Sequence, residues 1–159
     1  MNLRKSLVGL ATAGVITMSL TGCTSDGIDG TYQCTDKKNN PATLFIDGND
    51  FEITANNNKI IQSMKDKNKK DLKQGKAMFL AFGAKAEEVE KIDIKLSTKV
   101  EKSNETDFKL IISTTSNFNG KKILDEAKVS NKELFSVKKI DDDTIDLFKD
   151  NHAIHCKKQ

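Results

Sequence analysis

Residues 60–90 read IIQSMKDKNKKDLKQGKAMFLAFGAKAEEVE, and the fold class turns on whether this stretch is a helix. Ile61, Met64, Leu72, Phe79, Phe82, Ala86 and Val89 recur at spacings of three and four, with Asn68 and Gly75 completing the stripe. That is the period of an amphipathic helix, with one side laid on a core. The expectation is a long helix over 60–90, Phe79 and Phe82 turned inward with Met64 and Leu72. It is open to a break at Gly75 or Gly83, where glycine costs about 1 kcal/mol relative to alanine. Within it, AMFLAF also fits a short buried strand, which periodicity does not separate from helix. The run KDKNKKDLKQGK over 65–76 carries six lysines against two aspartates. It reads as the solvated face of the helix, or as a surface for anionic lipid head groups, worth about 1 kcal/mol per lysine near the bilayer.

On both sides of this stretch the period drops to two, the signature of half-buried strands. GTYQCT places Tyr32 and Cys34 on one side. ATLFIDGNDFEIT is a hairpin about Asp47-Gly48, with Leu44 and Ile46, then Phe51 and Ile53, facing one way. ANNNK reads as a loop whose Asn58 caps the helix. Beyond residue 90, Ile92, Ile94, Leu96, Thr98 and Val100 alternate with charge. Phe108, Leu110, Ile112 and Thr114 follow, with Ile111 implying cover on the other face. Asn119-Gly120 marks a turn, and KELFSVKKI, DTIDLFKD and NHAIHCKK give three short strands about an Asp141-Asp142-Asp143 turn. Short connections make the sheet antiparallel. The expected fold class is therefore α+β: a small antiparallel sheet of about seven to eight strands packed with one long or broken helix.

The beginning of the chain is of another kind. Arg4 and Lys5 precede an apolar or small-residue run from residue 7 to residue 20, the layout of a secretory signal peptide. The run is too short to span a bilayer core, which takes about 20 apolar residues. Leu20-Thr21-Gly22-Cys23 resembles the lipobox of bacterial lipoproteins, a leucine, two small residues and a cysteine. The resemblance implies cleavage after Gly22, a diacylglyceryl group on the Cys23 thiol and acylation of the new amine. Two or three acyl chains make an anchor stable where one is marginal. Thr24, in place of the aspartate that retains lipoproteins at the inner membrane, resembles the group sorted to the outer membrane, facing the periplasm. The division that follows is a signal peptide at 1–22, a lipidated tether at 23–29 and one α+β domain at 30–159. Discarding Arg4 and Lys5 brings the balance of 26 basic and 23 acidic residues close to neutral, which argues against nucleic acid as a partner.

Two cysteines remain, Cys34 and Cys156. In an oxidising compartment an even pair is expected to be bridged, which requires the first and last strands to be neighbours. Tyr32-Gln33-Cys34 early in a small anchored β-domain with a late cysteine is also similar to the membrane-bound inhibitors of c-type lysozyme. The inhibitory Ser-Gly-Ala-Arg-Tyr-like loop of that family has no counterpart here, and no inhibitory residue carries over.

Chemistry is sparse. His152 and His155 flank Cys156 in HAIHC and would share a face on a helix, but on a strand they point opposite ways, and a disulfide consumes the thiolate a metal needs. The acidic turn lacks the spacing of a calcium loop. No nucleophile elbow, P-loop or zinc-protease motif occurs. The expectation is a non-catalytic envelope lipoprotein without metal or cofactor, held to the membrane by its anchor and presenting a small domain to a protein partner. A carrier for a hydrophobic ligand is the rival, requiring an internal cavity, whereas partner binding requires an exposed apolar patch. An inhibitor or immunity-type lipoprotein is the further alternative.

Overall fold

The computed structural model describes residues 27–159. The expected leader, lipidation at Cys23 and the first part of the tether lie outside the described residues. Nine strands make one antiparallel sheet. The first meander is β1 (Gly30–Thr35), β2 (Pro41–Asp47), β3 (Asp50–Ala55) and β4 (Asn58–Lys59). The second is β5 (Ile94–Lys102), β6 (Asp107–Phe118), β7 (Ile123–Lys139), β8 (Thr144–Lys149) and β9 (His152–Lys158). Helices α1 (Ile60–Ala81) and α2 (Ala86–Glu90) connect the two. The spatial order is β4-β3-β2-β1-β9-β8-β7-β6-β5.

The two meanders meet where β1 pairs with β9, and there Cys34 lies opposite Cys156 and is bonded to it. At the other junction the sheet curls until β3 and β5 approach. The Val100 amide donates to the Asn49 carbonyl at 3.1 Å, and the Thr98 hydroxyl to the Asp50 carboxylate at 2.6 Å. The helical connection leaves one edge strand, β4, and enters the other, β5, so α1 necessarily straps this seam. The result is an incomplete barrel with its inward-facing alternate residues as the core. Tyr32, Leu44, Ile46, Phe108, Leu110, Val137 and Ile145 are buried there, together with both cysteines. Ile28 belongs to this core as well, and the Tyr32 hydroxyl donates to its carbonyl at 3.1 Å.

The α+β expectation is therefore corrected. Helix is confined to 22 residues in α1 and 5 in α2, against nine strands in a single sheet. Only Ile61 of α1 is buried, so the sheet packs mainly upon itself. The reason is curvature: a sheet whose ends approach each other encloses its own apolar face and leaves a helix only the seam to cover. Two side chains of the expected inward stripe are consequently outside. Met64 lies at the margin of the contact face, and Phe82 is 84% exposed because α1 ends at Ala81 and Phe82 stands beyond the last turn. Ala86 is exposed too. Ile61, Asn68, Leu72, Gly75 and Phe79 do form the contact side, with Asn68 Nδ2 donating to the Ile94 carbonyl at 3.0 Å and Phe79 edge-on to Phe118 at 5.3 Å.

The ends of α1 follow from local chemistry. Asn56 and Asn57, with φ of 51° and 62°, make the two-residue turn from β3 to β4, the left-handed pair that a tight hairpin demands. Asn58 does not cap the helix. Glu52 on β3 does so instead, its carboxylate accepting from the amides of Ile61 at 2.7 Å and Gln62 at 3.0 Å, which satisfies two of the donors a helix start leaves free. The helix continues without a break at Gly75 into the AMFLAF segment as far as Ala81, with Phe82 as its cap, and Gly83 follows with a φ of 85°, the left-handed value found just past helix ends.

Candidate binding surface

Strand direction sorts the loops into two ends. The basal end collects the entry of the chain at residue 27, the β2–β3 turn and the turns after β5 and β7. Asp29 accepts from the Gly48 amide at 2.9 Å, and the Lys139 amide donates to the Thr106 carbonyl at 2.7 Å. The distal end carries loop 36–40, the β8–β9 turn, the end of α1 and the β6–β7 hairpin. At about 3.3 Å per residue, β7 extends on the order of 50 Å and makes that hairpin an arm.

Sequence reading missed most of this arm. Residues 123–131 show no alternation, since both faces of the hairpin stand clear of the core over 125–133 and nothing selects a period of two. Residues 128–131 are strand because β6 templates them, pairing Thr115 with Val129 and Ser116 with Lys128; a register shift then passes over 124–127 before Ile123 pairs with Phe118. β8 pairs with β7 only at residues 136–139. Over residues 123–135, among the described residues, no strand pairs with the far side of β7.

Where β8 stops, a cleft of about 580 Å³ opens at the distal mouth of the barrel. Phe135 and Ile154 are its floor, and loop 36–40 with Lys149, Asp150, His152 and Ala153 completes the lining. Phe135 faces inward because it pairs with fully buried Leu110. Successive Leu134 and Phe135 were the signal in sequence, since two adjacent apolar residues break alternation, and a register shift lies here between Leu110 and Ile111. The rim is built firmly on one side. Asp36 accepts from the amides of Lys38 and Asn40 and from Asn40 Nδ2, at 2.8, 2.9 and 2.9 Å. These bonds, the Asn40 side chain foremost, hold its carboxyl below the usual range. Lys149 Nζ sits 5.7 Å from the centre of the Phe135 ring, near enough for cation–π attraction. The cleft is thus apolar below and bordered above by Lys37, Lys38 and Lys149 with Asp36 and Asp150.

Also exposed at this end are Met78 (59%), Leu80 (45%) and Phe82 (84%) at the tip of α1, Val129 on the arm and Phe148 on β8, while Ile140 is exposed at the basal end and Phe45 on β2. The barrel interior is occupied by the buried side chains of the core. Cys34 and Cys156 are 2% and 0% exposed and join two strands without lining any surface. His155 contacts Asp146 at 2.7 Å on the neighbouring strand, while His152 stands at the cleft rim. The Asp141–Asp143 turn closes on itself: Asp141 accepts from the Asp143 amide, and Asp142 pairs with Lys139 at 2.8 Å. Among the described residues no three metal-ligating side chains converge, and no helix is long and apolar enough to cross a membrane. Of the lysines in 65–76, Lys76 donates to the Glu90 carbonyl at 3.0 Å and four others are exposed. No protein-family model, curated protein or solved structure matches the chain.

Proposed function

We propose that this chain is a non-catalytic, lipid-anchored protein of the bacterial cell envelope that presents its distal end to a protein partner. The observation that carries the reading is the pairing of a filled barrel with uncovered recognition groups, namely a free strand edge, an apolar cleft and the bare tip of α1, all at one end. The lipobox-like Leu20-Thr21-Gly22-Cys23 supports the anchor. Its cysteine stands four residues before Gly27, at most about 14 Å of extended chain. Such a short tether would hold the basal end toward the bilayer of the outer membrane and turn the cleft and arm away from it, into the periplasm. Aromatic and methionine side chains such as Phe82 and Met78 are enriched at partner sites relative to the rest of a protein surface.

The test is labelling and co-purification in the native envelope. The intact chain is expected to incorporate a fatty-acid probe and to retain a partner after chemical crosslinking, and Cys23→Ala to lose the label. Labelling of Cys23→Ala would overturn the anchor. Absence of any specific crosslinked protein from the intact chain would overturn the partner reading.

A further inference from the structure

We infer that the partner is held by β-strand addition: an extended segment with acidic residues and one bulky apolar residue at alternate positions lies along residues 128–135 of β7 and drops the apolar side chain into the cleft. This deepens the partner-binding reading and rests on it. β7 keeps continuous register with β6 over 128–133, where its far side is unpaired; that is the length of an average strand, and unpaired edge amides and carbonyls are a template for another chain. The cleft lies where a strand continuing the line of β8 would begin. The two therefore combine main-chain hydrogen bonding with a side-chain pocket, as strand-addition sites do.

The charge pattern selects the occupant. Phe135, Lys132 and Lys128 pair with Leu110, Ile112 and Ser116, so all three project from the concave face that holds the cleft. Lys37 and Lys38 stand at the rim, and none of these four lysines is in an ion pair among the described residues. Asp36 is engaged in its own loop, and Glu133 is turned to the other face, where it holds Lys109 at 3.2 Å. Asp150 is a second acid on the cleft rim, so the cationic run an incoming strand meets is that of Lys132 and Lys128 on the concave side of β7.

The probe is an end-blocked, fluorescent nine-residue peptide, Thr-Phe-Thr-Glu-Thr-Ser-Thr-Glu-Thr, ordered so that Phe, Glu, Ser and Glu meet Phe135, Lys132, Ser130 and Lys128 in antiparallel register. Expected are saturable binding, slowed amide exchange confined to 128–135 and the cleft, and at least a tenfold weakening when alternate peptide amides are N-methylated. Lys132→Glu should weaken binding about tenfold, and a peptide with Lys for the first Glu should restore it. No binding, equal binding of the N-methylated peptide, protection elsewhere, or dimerisation of the protein through this edge would each overturn strand addition. Crosslinking of the native partner through Phe82, with 128–135 left unprotected, would refute strand addition and leave the partner reading standing. No partner by either route removes both.

Discussion

Removing the Cys34–Cys156 bond should take away much of this protein's stability. The two residues are separated by 122 positions. On the chain-entropy model the bond lowers the entropy of the unfolded chain enough to stabilise the fold by about 5 kcal/mol. A domain of this size has roughly 5–15 kcal/mol in all, so the reduced protein should be marginal at physiological temperature. The bond also joins the only ladder between the two meanders at the disulfide side, where β1 and β9 share four register pairs. Urea unfolding would be compared for the native protein, its reduced form and Cys34→Ala/Cys156→Ala. Reduced and double-variant proteins should lose about 5 kcal/mol alike, and the slope of free energy against urea should steepen because the unfolded chain is no longer looped. A loss below about 1 kcal/mol, or freely alkylated thiols in the native protein, would refute this reasoning.

Replacing Ile61 with Ala should cost about 2–5 kcal/mol, since its side chain is fully buried under the strap, while Phe82→Ala should stay within about 0.5 kcal/mol; equal losses in thermal unfolding would restore a buried Phe82. Glu52→Ala should cost about 1 kcal/mol and raise amide exchange at Ile61 and Gln62 first, as loss of a helix cap does. Tyr32, the only tyrosine in a chain without tryptophan, titrates above its ordinary value of 10.0 because burial disfavours the phenolate, with Asp29 and Asp143 adding to the shift. The unfolded chain therefore deprotonates first as pH rises, so this stabilisation is complete below 10 and is lost through the folded pKa. Ultraviolet titration should show the raised midpoint, and Tyr32→Phe should flatten the alkaline limb of stability; a midpoint at or below the ordinary value would contradict the burial.

The strands with one buried face were legible because burial imposed a period on them. Leu44 and Ile46, Phe108 and Leu110, and Val100 all point inward as alternation requires, and the neighbouring of first and last strands followed from pairing Cys34 with Cys156. The failures share one cause, that periodicity records burial and is silent where there is none. Residues 123–131 became strand without a buried face, and Phe82 continued a helical spacing past the residue where the helix ends. Nor does a local pattern reveal that a sheet curls, which turned an expected helix-on-sheet layer into a strap across a seam. Capping by Glu52 was invisible because its target lies nine residues away in sequence and adjacent only through the β3–β4 hairpin. Of the binding surface, only the adjacent Leu134 and Phe135 left a trace in the sequence. The cleft depends on where β8 stops relative to β7, which is a matter of register.

The most direct measurement is a photocrosslinking scan of the full chain in its native envelope, one photoreactive residue at a time. Positions Phe82, Val129 and Ala153 sample the distal end, and Glu105 and Asp142 the basal end. Adducts to one protein from the distal positions, with none from the basal pair, are the predicted result. Adducts confined to the basal positions, or spread evenly over both ends, would contradict a distal binding surface.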